Sequence, residues 1–125
     1  MAIEPGLAAS ADLTVEASDT AEALHSGDVP VLGTPRIAAL MEEATVAALH
    51  GHLDPKATTV GMRVQLDHLI PVAVGSKVRA DATLERCEGR RLTFAVSVTC
   101  DAGLVAAGKV TRVIVNRDHF MERVR

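Results

Sequence analysis

Three side chains in this sequence have the chemistry and spacing of a reactive set: the Thr34 hydroxyl, the Glu42 carboxylate and the His68 imidazole. Each alone has a plain explanation. Thr34 precedes Pro35, and Thr-Pro is a helix start, with the hydroxyl capping free amides and proline fitting the first helical position. His68 lies between Asp67 and Pro71, where a strand is about to emerge, and a lone histidine there is readily structural. Glu42 and Glu43 separate on a helical wheel: with Ile37 at zero, they fall at roughly 140° and roughly 240°. Glu42 then shares its flank with Ala38, Thr45 and Leu49, whereas Glu43 lies with Ala39, Val46 and His50 toward a solvated side. Glu42 is the expected half-buried carboxylate, the kind that acts as a base or nucleophile. The combination says more than its parts. A hydroxyl at a helix N-terminus, a carboxylate two turns on and a histidine on an adjacent strand form an acid/base and nucleophile set, and the helix amides can stabilise an oxyanion.

The elements that must position these groups are readable from periodicity. Ile37, Leu40, Met41, Ala44, Ala47 and Ala48 recur at helical spacing from Pro35 to about His50, and Gly51 with Pro55 beyond ends the run. Its many alanines suit a central helix packed closely on a sheet. Residues 12 to 18 alternate as a first strand, and residues 19 to 33, with Gly27, Pro30 and Gly33, read as a loop with a short helical turn near Glu22 to His25. After Lys56 the period changes to two. Residues 58 to 70, 76 to 87, 90 to 101 and 104 to 115 read as strands of an antiparallel meander, followed by a frayed or helical tail from Arg117 to Arg125. In the first of these the inward series is expected to run Val60, Met62, Val64, Leu66, His68 and Ile70. The architecture is α+β, one five-stranded antiparallel sheet around one helix, in a single domain spanning 1–125. Such a sheet leaves an edge strand uncovered, and pairing two copies edge to edge would cover it, so a homodimer is expected with the His68 strand as candidate junction.

Composition narrows the functional classes. With 48% hydrophobic and 23% charged residues the chain is an ordinary globular domain of 125 residues rather than a disordered one. A net charge of -3, no Trp or Tyr, and only Phe94 and Phe120 give nucleic acid neither a basic footprint nor a stacking platform. The opening MAIEPGLAAS lacks the basic n-region of a signal peptide, and no stretch approaches a membrane span, which points to a cytoplasmic protein. Cys87 and Cys100 fall on two arms of one hairpin but out of register, too far apart for a disulfide, so both are read as reduced thiols.

Gly33-Thr34, Glu42, His52-Leu53-Asp54-Pro55, Val60-Gly61, Val64-x-Leu66-x-His68 and Glu88 to Phe94, spread over residues 30 to 120, closely resemble the hotdog-fold thioesterases of the fluoroacetyl-CoA thioesterase type. The resemblance implies an acyl-CoA thioesterase working as a homodimer with its sites at the interface, and needing no metal or organic cofactor. It implies that Glu42 is nucleophile or general base, that Thr34 positions it and the thioester, and that His68 handles protons. Gly33 and Gly61 would lie by the substrate, Gly61 where a side chain would obstruct the acyl group. Independently of the resemblance, the strand arginines Arg63, Arg79, Arg90 and Arg91 are available to the CoA phosphates, with Arg90 and Arg91 the expected contacts. Fluoroacetyl-CoA enzymes resemble one another in having phenylalanines in the loop before the catalytic threonine, whereas residues 19 to 33 here contain none. A different acyl group is therefore expected. Two other readings stay open on the sequence: a non-catalytic acyl-CoA-binding protein in the same cleft, and a hotdog enoyl-CoA hydratase or dehydratase.

Overall fold

The computed structural model describes residues 3–125. In chain order the elements are strand β1 (Ala8–Thr14), a 3-10 turn (Ala17–Asp19), helix α1 (Thr34–Leu49), strands β2 (Ala57–His68), β3 (Lys77–Glu88), β4 (Arg91–Cys100) and β5 (Gly103–Asn116), and short helix α2 (Arg117–Glu122). One five-stranded antiparallel sheet, as expected, covers one main helix. Its core is built from both. Ile37, Leu40, Met41, Ala44 and Leu49 of α1 meet Leu84, Leu92, Phe94, Val98 and Val110 of the sheet. Ala80 and Ala82 of β3, facing the alanine-rich helix, leave it room to pack close.

Four details differ from the sequence expectation. First, β1 runs from Ala8 to Thr14 rather than from 12 to 18, because the inward alternation begins before Leu13 at Ala9 and Ala11, residues too small to stand out. Second, Thr45 rather than Ala47 is on the buried side of α1, its hydroxyl satisfied by donating to the Glu42 carbonyl at 2.6 Å.

Third, the strands after the helix are not a four-strand meander. The order is β1-β3-β4-β5-β2, so β2 pairs only with β5 and forms one edge of the sheet. The connection after β2 is the cause. Residues 69–76 are too long for a tight hairpin and carry Val72 into the core, where its carbonyl accepts from Leu32 N–H at 2.9 Å. The chain thus crosses the end of the sheet before β3 begins.

Fourth, the inward series of β2 changes phase. Gly61 pairs with Arg112 and Arg63 with Thr111, leaving Met62 as an extra residue in a β-bulge, 50% exposed. Val64, Leu66, His68 and Ile70 are half-buried as expected, but before the bulge it is Gly61, not Val60 or Met62, that faces α1.

β2 is held to β5 by an unusually close approach. A Cβ on Gly108 would collide with the Gln65 carbonyl and crowd the Leu66 Cα, both of them backbone that cannot swing aside. Gly108→Ala is expected to destabilise the protein by about 3 kcal/mol or more, the upper end for overpacking. Urea unfolding of the purified variant measures this as a lowered midpoint.

Candidate active site

The loop before α1 is laced at both sides of residues 31–33. Thr20 bridges Leu32, Val31 bridges Ala73, and Gly33 N–H donates to the Asp19 carbonyl at 2.9 Å. Asp19 is buried, and its carboxylate accepts from Glu16 N–H at 2.8 Å and from Arg36 Nε at 3.1 Å. Arg36 also reaches Glu43 at 3.1 Å, tying the loop to the first turns of the helix. Gly33 is the helix N-cap, so Thr34 is the first helical residue and Pro35 the second. The Thr34 hydroxyl therefore does not cap the helix, and a different partner takes it.

That partner is His68. Thr34 Oγ1 lies 2.9 Å from His68 Nδ1, and His68 Nε2 lies 3.0 Å from the Ile70 carbonyl oxygen. A carbonyl can only accept, so the neutral ring carries its proton on Nε2 and offers the Nδ1 lone pair to the Thr34 O–H. The result is a hydroxyl hydrogen-bonded to a base whose orientation is fixed by the main chain.

Glu42 belongs to a second cluster. Its side chain is 37% exposed against 54% for Glu43, in the order the helical wheel gives. Glu42 Oε2 accepts from Arg112 Nη1 at 3.2 Å. Arg112 is only 7% exposed and spends its other donors on Thr59, Nε on the hydroxyl at 2.9 Å and Nη2 on the carbonyl at 3.1 Å. Burial pushes the Arg112 guanidinium below its ordinary pKa range, and the adjacent Glu42 carboxylate pulls it back up. Gly61 completes the cluster: a Cβ there would collide with Glu42 Oε2, so the carboxylate occupies the space that glycine leaves.

The structure thus brings Thr34 and His68 together and leaves Glu42 apart. Eight residues of helix separate Thr34 from Glu42, about 12 Å at 1.5 Å per residue. Gly33 is buried against the loop, where a Cβ would come within 3.0 Å of Ala21 N, and it serves chain packing there. Arg90 lies in the turn between β3 and β4, while Arg91 precedes the buried Leu92 and lies on the outer face of the sheet with Lys109 and Arg63. Sequence reasoning missed Arg112. Its signal was a charged residue at an inward position of β5, between Val110 and Ile114.

Comparison with known proteins follows the same line. Residues 15–118 match the family described as fluoroacetyl-CoA-specific thioesterase. The chain belongs to this family. It is 30% identical over 95 residues to the fluoroacetyl-CoA thioesterase of Streptantibioticus cattleyicolor, covering 76% of this chain and 68% of that protein. A crystallised variant of the fluoroacetyl-CoA-specific thioesterase, in complex with fluoroacetate and CoA, superposes with a TM-score of 0.89 at 25% identity over 94% of this chain and 99% of that one. A hot-dog-like protein from Thermanaerovibrio acidaminovorans superposes at 0.87 with 26% identity over 95% and 88%. The chain is accordingly a thioester hydrolase with a hotdog fold, related to the fluoroacetyl-CoA thioesterases.

Within that family frame, Gly61 gives the sharpest local test. A flexible carboxylate end can move away from a new methyl group, so Gly61→Ala should still fold while displacing Glu42 from Arg112. We expect a lowered melting temperature, because the buried guanidinium loses its carboxylate, and thioesterase activity lowered about tenfold or more in the folded variant, the scale for misplaced reacting groups.

Proposed function

We propose that the protein hydrolyses acyl-CoA thioesters at a composite site in a homodimer, with Glu42 from one protomer facing Thr34 and His68 of its partner copy. The observation that carries this reading is the division of the reactive set into two clusters at the two ends of an edge strand whose outer edge is unpaired. Antiparallel pairing of two β2 edges about a two-fold axis sets the His68 end of one strand toward the Ala57 to Gly61 end of the other. Gly61 abuts Glu42, so this pairing brings the clusters together. It also removes the exposed sheet edge.

In such a site Glu42 acts either as general base for the water that attacks the thioester carbonyl, or as nucleophile, displacing the thiolate to form an acyl-Glu42 anhydride that water then hydrolyses to the carboxylate and free Glu42. Arg112, Thr59 and Gly61 hold its carboxylate in place. Thr34 positions the thioester through its hydroxyl, and His68, whose Nδ1 accepts the Thr34 O–H, relays to the sulfur the proton released by the attacking water as the C–S bond breaks and the thiol leaves. The α1 amides beside Thr34 face the developing oxyanion. The products are a carboxylate and free CoA. The loop at residues 19–33 presents Leu24 and Val29 rather than phenylalanine, which supports an acyl group other than fluoroacetyl.

The test is thiol release from a panel of short, branched and aromatic acyl-CoAs. At least one should be turned over, with Glu42→Ala or His68→Ala lowering kcat by roughly 10²–10⁴-fold, the usual contribution of a positioned acid or base. No turnover above a Glu42→Ala, His68→Ala double variant on any of them would refute hydrolysis. CoA binding that survives Glu42→Ala without turnover in the parent would point to a binding protein, and enoyl-CoA hydration to a hydratase.

A further inference from the structure

The outer face of the sheet carries a set of polar groups that hydrolysis does not use. Strand register sets Arg86 of β3 opposite Thr93 of β4, Thr93 opposite Thr111 of β5, and Thr111 opposite Arg63 of β2. Residues paired in this way share a face, so the four form one row across four strands, two hydroxyls between two guanidinium groups. All four line one recess of about 560 Å³.

Two β-bulges build this row. The β3 ladder slips between Leu84 and Arg86, and the β2 ladder between Gly61 and Arg63. Without the slips, Glu85 and Met62 would stand opposite the threonines, and both arginines would turn toward the core. A bulge re-aims the side chains that follow it, and here each one replaces a non-cationic residue with an arginine beside a threonine. The threonines themselves are buried and unused: Thr93 is 8% exposed and Thr111 9%, and among the described residues neither hydroxyl has a hydrogen-bond partner. No fully enclosed side-chain oxygen or nitrogen is left unpaired among those residues, so these two oxygens are reached from the recess.

The walls are cationic. Arg91 lies two residues from Thr93 along β4, and Lys109 lies two residues from Thr111 along β5, on opposite sides of the row. These four cations meet two carboxylates, Glu85 paired with Lys109 and Glu88 with Arg86 at 3.7 Å. Arg63 and Arg91 have no carboxylate partner among the described residues. An excess of two positive charges is thus gathered on a chain whose net charge is -3. Like charges set side by side on a sheet cost stability, and an anion offsets that cost.

We propose that this recess binds the diphosphate group of a small ligand, with one phosphoryl group on Arg86 and Thr93 and the other on Arg63 and Thr111. Guanidinium forks and hydroxyls are all donors here, which suits phosphoryl oxygens. The two hydroxyls sit on adjacent strands, about 4.8 Å apart, a spacing that two linked phosphoryl groups bridge and a single one does not. The sheet lies between the recess and Glu42, so the guest is not the thioester under hydrolysis, and the site stands whether or not the hydrolysis reading does.

Isothermal titration calorimetry of the intact protein at fixed ionic strength tests this, with pyrophosphate, orthophosphate and adenosine diphosphate as probes. Pyrophosphate should bind saturably and about tenfold or more tighter than orthophosphate. A Thr93→Val, Thr111→Val double variant, which keeps the side-chain shape, and an Arg63→Gln variant on the exposed edge strand should each weaken pyrophosphate about tenfold or more, the loss expected for charge-assisted hydrogen bonds. Lys77→Gln, which removes one positive charge at the far end of β3, should leave the affinity unchanged. Adenosine diphosphate binding at the same site would make the guest the diphosphate of a larger molecule, and its exclusion would make it the free ion; either supports the site. No binding of pyrophosphate, an affinity no better than that of orthophosphate, or an affinity unchanged in Arg63→Gln or in the threonine variant would overturn the proposal.

Discussion

A guanidinium buried beneath the central helix is the constraint around which this site is organised. Removing a cation from water is costly unless its donors are matched, and Arg112 matches them with the Thr59 hydroxyl, the Thr59 carbonyl and the Glu42 carboxylate. Each partner restricts something else. Thr59 fixes the start of β2 to β5, and Glu42 is drawn to the sheet side of its helix. The carboxylate then fills the space over Gly61, which a side chain could take only by displacing it. The bulge at Met62 shifts the strand's phase so that Gly61 and, further along, His68 both face the helix.

The second cluster is built by a different device. Thr34 starts the helix without capping it, since Gly33 holds that position, and the lacing of residues 31–33 to Asp19 and Val72 sets the height at which the helix begins. His68 arrives at the end of β2 with its ring proton committed to the Ile70 carbonyl. The hydroxyl and the imidazole are therefore matched in tautomer as well as in distance. Neither cluster reaches the other along one helix, and β2, which carries one at each end, is the edge strand that a second copy would pair. A division of chemistry between the ends of an edge strand makes sense if the edge is an interface.

Much of this was legible in the sequence, for identifiable reasons. The helix and four of the strands followed from clean changes of period, and Glu42 separated from Glu43 by wheel angle alone. His68 stood out because a polar residue interrupted an apolar series. What stayed hidden was nonlocal. The bulge left no mark, because the residues around Met62 continue to alternate through it. The placement of β2 beside β5 depended on where a long connection crosses, not on the strand's own residues. Alanine alternation concealed the true span of β1. Arg112 drew no notice in the sequence, and only its place beside Gly61 in the sheet reveals that it meets Glu42.

The claim most open to direct contradiction is that each site draws Glu42 from one protomer and His68 from the other. Co-refolding Glu42→Ala chains with His68→Ala chains, each inactive alone, would leave one intact composite site in every mixed dimer. With random assortment, thioesterase activity should return to about one quarter of the parent value. Mixed dimers that form but remain as inactive as either variant alone would contradict the account.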